Sequence, residues 1–275
     1  MSKPLATQAL QTIGKCWHKA SLTRTADIQH TKAFAQFVQD KFGLERIQNL
    51  KPGHVQAYVN SMQANNMGAG TISNHLSAIR QLAEAIGKRN IVCRTNAEYG
   101  LSRTRKNPVL ANLQKIEQIR VQIDHAARAG DRIAMMCSAA AGLRDAFGLR
   151  AKESLLSYKV DGTKLVIEGT KGNRPRSLEI TTDQQKQAVQ YASEISQALN
   201  SGTGRIIPPE MSLKQAYNAQ KNLWQNLGGT KTNHSHQHAS RHAYAQGCKA
   251  AGDSNAVISE KLGHGRADVA GHYVP

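Results

Sequence analysis

His238, Arg241, His264 and Tyr273 fall within the last forty residues, in the order H-x-x-R, then L-G-H, then a tyrosine. These side chains suit attack on a phosphodiester. A guanidinium grips phosphate oxygens through paired, charge-assisted hydrogen bonds. An imidazole moves protons or donates to an oxyanion. A phenol is a nucleophile once its proton is taken. With a reference pKa of about 10, it needs a base or a positive pocket to act near neutrality. Each residue also has a plainer reading. His238 closes the run His234, His236, His238, which can be polar surface or a metal site. No cysteine or carboxylate lies nearby to complete a zinc site, so no metal is expected. Gly263 suits the left-handed end of a helix and says nothing about His264. Tyr273 read alone is a partly buried aromatic.

The surrounding chain favours a phosphate-rich partner. Its 275 residues carry 36 Lys and Arg against 19 acidic residues, a net charge of +17. Such an excess draws polyanions and releases their counterions on binding, although ribosomal and membrane-surface proteins share it. Aromatics make up only 5%, so the core must be built from aliphatic side chains. Cys16, Cys93, Cys137 and Cys248 are far apart and form no C-x-x-C pair. A disulfide framework or zinc ribbon is therefore not expected, and reduced thiols in a cytoplasmic protein are. The N-terminus shows no signal-peptide core. No apolar run reaches the roughly 18 residues of a membrane span.

Helices must position the four residues. Phe34, Phe37 and Val38 share one helical face, and Val55, Tyr58 and Met62 share another after Lys51-Pro52-Gly53. Ile72, Leu76, Ile79, Ala83 and Ile86 recur at helical spacing, with Thr71 or Ser73 as cap. The other face of that helix carries Asn74, His75, Arg80 and Lys88, which suits either DNA or solvent. Residues 98–114 break the pattern, and Arg103, Arg105, Lys106 and Pro108 read as a basic linker. The chain therefore divides into 1–100, a linker 101–114, and 115–275. Periodicity resumes with Ile116, Ile119 and Ile123, then Ile133, Met136, Ala140 and Leu143. KLVIEG (164–169) and RSLEI (176–180) read as strands around a TKGNRP turn. Helices follow over Val189–Leu199, Leu213–Trp224 and the HASRHAYAQGCKAAG segment. A mainly α protein with a small antiparallel β-sheet is expected.

HASRH, LGH and the final tyrosine resemble the tyrosine recombinase (phage integrase) family, which shows H-x-x-R-H, L-G-H and a nucleophilic tyrosine at this spacing. The family also carries a G-L-R-x-x-E segment. In GLRDAFGLRAKESLLSYKVDG both Arg144 and Arg150 follow Gly-Leu. Arg150 is favoured because Glu153 stands at the family interval, which leaves Arg144 a surface arginine. The resemblance makes Lys171, in the hairpin turn, the general acid, with Lys164 as rival. Arg174 and Arg176 then either contact phosphate or lie on a solvated turn.

The resemblance implies a helical core-binding (SAM-like) DNA-binding domain followed by an α+β catalytic domain. It implies Arg150, Lys171, His238, Arg241, His264 and the nucleophile Tyr273 as catalytic residues. Glu153 and His242 would support them, and Arg80, Arg103, Arg105, Lys106, Arg174 and Arg176 would touch DNA. The implied activity is site-specific recombination or integration through a 3′-phosphotyrosyl intermediate, without ATP, metal or cofactor, in the service of a mobile element. The implied partner is double-stranded DNA bearing specific sites, bound by a homotetramer in a prokaryotic cytoplasm and not at a membrane. The sequence ends at Val274-Pro275, so the C-terminal helix with which many members dock on a neighbour is not expected. Two other readings use the same residues: a non-catalytic DNA-binding regulator, and a relaxing type IB topoisomerase.

Overall fold

The computed structural model describes residues 3–14, 21–102, 108, 110–156, 159–168, 175–264 and 267–274. It divides into two compact units, Met1–Thr104 and Arg105–Pro275. In the first unit, helices α1 (Leu5–Ile13), α2 (Ser21–Phe42), α3 (Pro52–Ala64) and α4 (Ala69–Ala85) enclose one apolar core. Pro52 opens α3, where the missing N–H is not needed. The α4 helix follows Gly68 rather than a Thr71 or Ser73 cap, and the Ser73 hydroxyl instead donates back to the Ala69 carbonyl.

The α4 helix is buried around most of its circumference, against α1, α2 and the short turn at Arg89–Ile91. Of its expected polar face, His75 is buried, Arg80 and Lys88 are partly buried, and Asn74 is exposed. The Tyr58 hydroxyl and Nδ1 of the buried His75 are 3.0 Å apart, and the His75 ring lies 4.0 Å from that of His30. Arg80, expected on DNA, donates to the Cys93 carbonyl at 3.0 Å and the Asn96 side chain at 2.9 Å. Lys88 donates to the Gln48 carbonyl. One helical stripe in a sequence cannot reveal that a helix has neighbours on two sides. Tyr99 and Leu101 pack into this same core, so it runs one residue past 100. The linker arginines Arg103 and Arg105 and Lys106 lie outside the described residues.

The second unit is built on α5 (Leu113–Arg128), α6 (Arg132–Phe147), α7 (Ala151–Leu156), strands β1 (Lys159–Asp161), β2 (Lys164–Ile167) and β3 (Arg176–Glu179), α8 (Asp183–Asn200), α9 (Leu213–Asn226), α10 (Ala239–Ala250), α11 (Asn255–Lys261) and a 3₁₀ turn over Ala267–His272. The α6 helix runs through the core, capped at its start by the Asp131 side chain and ended by Gly148 in the left-handed region. Thr182 with Gln185 and Ser212 with Gln215 form capping boxes that start α8 and α9. The sheet has the order β1-β2-β3, antiparallel throughout, with Leu165 opposite Leu178 and Ile167 opposite Arg176. Leu165 and Ile167 alternate inward onto the helices. The β1 strand has no counterpart in the sequence reading. Its three residues are exposed and two are charged, so no alternation marks it. The fold is mainly helical with a small antiparallel sheet, as the periodicity predicts. Among the described residues no helix is long and apolar enough to cross a membrane.

Candidate active site

Glu153 is the centre of a cationic cluster in the second unit. It lies on α7 and is wholly buried. Its carboxylate accepts from the Arg150 backbone N–H at 2.9 Å and from Arg150 Nη1 at 2.6 Å. It accepts from Arg176 Nη2 at 3.1 Å and Nη1 at 3.4 Å, and Arg241 Nη1 lies 4.0 Å away. Burial pushes against ionisation, yet the hydrogen bonds from Arg176 and the Arg150 N–H, with both guanidinium charges, hold Glu153 down to about 2.

Arg241, one turn into α10, is completely buried. It donates to the Gly148 carbonyl at 2.6 Å and to the Leu262 carbonyl, and Nη2 meets His264 Nε2 at 2.9 Å. The left-handed end of α6 makes the first contact possible. Gly148 has φ +63°, and a Cβ there would sit 2.4 Å from the Tyr244 ring. Gly263, at φ +64°, ends the α11 segment and turns His264 toward Arg241. Burial, then the charges of Arg241, Arg150 and Arg176, lower the His264 pKa to about 4. His264 is therefore neutral near pH 7, and its Nε2 accepts from Arg241.

Tyr273 lies among these groups. Its hydroxyl is 3.3 Å from His238 Nε2. The ring centroid is 4.6 Å from that of His242, 5.2 Å from that of His264 and 5.7 Å from the Arg241 guanidinium carbon. His238 is the residue before the first turn of α10. Burial, then His242 and Arg241, lower its pKa to about 3, so it is a neutral acceptor for a phenolic proton. The segment leading to His238 is fixed by the Trp224 indole N–H, which donates to the Ser235 carbonyl at 2.6 Å. Tyr273 is held from behind by Gln246 Nε2, which donates to the Tyr273 carbonyl at 3.1 Å. Val274 and Ala270 pack with Ala245, Ile258 and Leu262.

The structure thus brings together Arg150, Glu153, His238, Arg241, His242, His264 and Tyr273, with Arg176 added. Arg176 begins β3 with its guanidinium mostly buried on Glu153, so the solvated-turn reading does not hold for it. Lys171 and Arg174 lie outside the described residues. Arg144 stands apart and is not on the surface. It is fully buried with its guanidinium 5.1 Å from the Trp224 ring, and its three side-chain nitrogens have no hydrogen-bond partner among the described residues. The two Gly-Leu-Arg triplets are offset by six residues, and the α6 terminus between them sends their side chains to different places. Sequence reasoning missed Gln246 and the Gly148 carbonyl. A glutamine eight residues after His238 would not be singled out by chemistry, since its role is to hold backbone.

Among the described residues no cluster of histidine, cysteine and carboxylate side chains could hold a metal ion.

The comparisons with known proteins agree with this geometry. A family model described as "Phage integrase, N-terminal" matches residues 1–92, and one described as "Integrase" matches residues 111–247. No curated protein matches. Three solved structures share the fold at low identity. The XerH site-specific recombinase bound to palindromic difH substrate has a TM-score of 0.71 at 16% identity, over 98% of this chain and 80% of that one. A lambda integrase tetramer bound to a Holliday junction has a TM-score of 0.70 at 14% identity, over 100% and 78%. The Tn1549 transposon integrase in complex with transposon right end DNA has a TM-score of 0.63 at 14% identity, over 99% and 94%. Since the two family matches leave out little beyond the linker and the last residues, and those last residues complete the cluster around Tyr273, the chain belongs to the tyrosine recombinase (phage integrase) family.

Proposed function

We propose that the protein is a site-specific DNA recombinase that cleaves and rejoins strands through Tyr273. The observation that carries this reading is the Tyr273 hydroxyl held 3.3 Å from a neutral His238 within its own chain, beside Arg241. Arg150 and Arg241 grip the non-bridging oxygens of the scissile phosphate and stabilise the charge that builds in the transition state. His264 completes that grip. His238 takes the phenolic proton as Tyr273 oxygen bonds to phosphorus. The bond to the 5′ oxygen breaks, and that oxygen leaves with a proton from Lys171, by resemblance the general acid. The products are a 3′-phosphotyrosyl ester and a free 5′ hydroxyl. A second 5′ hydroxyl reverses the step on a new partner, so no ATP or metal enters the balance.

Because Tyr273 is in reach of its own chain's arginines, cleavage proceeds in cis. The DNA is a duplex carrying specific sites, gripped by the first unit and the linker as well as by the catalytic unit. Strand exchange between two duplexes requires four protomers, the arrangement named for the lambda integrase complex. Mobile-element integration or excision in a prokaryotic cytoplasm is the setting that fits.

The test is covalent capture on nicked suicide duplexes that carry the repeats flanking the gene. Wild-type protein becomes covalently attached, and Tyr273→Phe binds the same DNA with no capture. Capture that survives Tyr273→Phe rules the reading out. Binding without wild-type capture indicates a regulator, and relaxation of plasmid lacking any repeat indicates a topoisomerase.

A further inference from the structure

We propose that Arg176 is a positioning residue for strand cleavage. It saturates the Glu153 carboxylate, so that Arg150 and Arg241 remain available to phosphate, and it braces the Gly263 turn that presents His264. The proposal rests on the recombinase reading and adds to it a residue outside the motifs that carry the resemblance.

Arg176 meets Glu153 as a fork, with both terminal nitrogens on the two carboxylate oxygens at 3.1 and 3.4 Å. Its side chain is only 11% exposed, so it has little surface to offer a DNA backbone. Three guanidiniums, Arg150, Arg176 and Arg241, surround one carboxylate, and three positive charges less one negative leave a surplus of two. That surplus is what a dianionic transition state meets. Without Arg176 the surplus halves, and Glu153 gains unsatisfied acceptor sites in a buried place. Arg150 already donates to it, and Arg241 is 4.0 Å away. An unsatisfied buried carboxylate draws both further inward, away from substrate.

The second contact is steric. A Cβ at Gly263 would lie 2.6 Å from Arg176 Nη1, so the guanidinium packs directly against the turn. The carbonyl of that same glycine accepts from Arg150 Nη2 at 3.5 Å, and the next residue is His264. Arg176 also stands opposite Ile167 where β3 pairs with β2, the two strands between which Lys171 falls in the sequence. One side chain therefore joins the hairpin, Glu153 and the histidine turn.

The test compares Arg176→Met, which keeps length and removes charge, with Arg176→Lys, which keeps charge and loses the fork. Arg176→Met should slow covalent capture at least tenfold, and Arg176→Lys should recover part of the loss. The slope of log Kd against log salt should stay unchanged, whereas loss of a phosphate contact lowers it by about 1. Adding Glu153→Gln to Arg176→Met should restore part of the rate, since the excess negative charge is removed. A DNA contact or a purely structural role gives losses that add. Histidine titration followed by NMR in the free protein should show the His264 midpoint rising in Arg176→Met, because one neighbouring cation is gone.

Capture by Arg176→Met at the wild-type rate overturns the proposal, as does a salt slope reduced by about 1. Failure of the wild-type protein to capture DNA removes the recombinase reading instead. The His264 titration then still decides, and an unmoved midpoint ends the proposal. If Arg176→Met does not fold, Arg176→Lys decides through capture and salt slope alone: slower capture at an unchanged slope supports the proposal, and a wild-type rate or a slope reduced by about 1 overturns it.

Discussion

At the scale of single residues, the two Gly-Leu-Arg triplets show how far side-chain surroundings separate identical motifs. Arg150 reaches Glu153 and the Gly263 carbonyl, whereas Arg144 is enclosed against Trp224 with no hydrogen-bond partner among the described residues. A buried charge without hydrogen-bond partners is costly to hold, and a well-packed apolar side chain in its place removes that cost. Arg144→Met should therefore keep or raise the melting temperature and leave capture intact. Arg150→Met should abolish capture with DNA binding largely retained. The reverse pattern in a paired capture and melting experiment would exchange their roles. The imidazoles give a second residue-scale prediction. His238 is lowered to about 3 and His264 to about 4, in both cases first by burial and then by neighbouring cations. In NMR titrations of the free protein both should stay neutral at pH 5.5, where a free imidazole with pKa about 6.5 is mostly protonated.

At the scale of elements, the α2–α3–α4 packing in the first unit carries its own pH dependence. His75 is lowered to about 4, by burial and then by His30, and its partner Tyr58 is raised to about 12 by burial. The folded state holds His75 neutral, while the unfolded chain takes up a proton below about 6.5. Stability is therefore fully present above that value and is lost as pH falls toward 4, at about 1.4 kcal/mol per pH unit for one such histidine. His238 and His264 act with the same sign in the second unit, and Glu153 adds a loss only at lower pH, below the ordinary glutamate range. Denaturant melts at pH 7 and 5 should show the difference. His75→Phe should flatten the part of it that belongs to the first unit. On α9, Trp224→Ala removes a buried indole and its bond to Ser235, which should lower stability by about 3–5 kcal/mol and loosen the segment before His238. A melting curve unchanged by that substitution would contradict the packing described.

At the scale of the whole molecule, the surplus of +17 sets the electrostatics of DNA binding. If six to ten phosphates are neutralised, affinity for duplex should fall by about 10³–10⁵ between 50 and 200 mM salt. Fluorescence anisotropy on repeat-bearing and scrambled duplexes gives both slopes. A flat salt response would show that these charges do not meet phosphate. Much of the architecture was legible because strong periodicity marks helices whose one face is buried: Phe34 and Val38 on α2, Ile116 to Ile123 on α5, Ala192 to Leu199 on α8. The cluster around Tyr273 was legible because H-x-x-R-H and L-G-H are short and dense in chemistry. The β1 strand was not, being brief and exposed, and neither were the burial of His75 and the internal hydrogen bonds of Arg80, which depend on what α4 packs against.

Sequence alone determined the chemistry available to this protein: two arginines, paired histidines and a terminal phenol in a family order, on a strongly basic and mainly helical chain. Residue types and local periodicity are properties of the chain itself, so they could be read there. Tertiary structure decided which groups meet. It placed Tyr273 beside His238, enclosed Arg144, and put Arg176 on Glu153 across 23 residues of chain. Those outcomes follow from packing between distant segments, where burial and a shared carboxylate assign each arginine its partner.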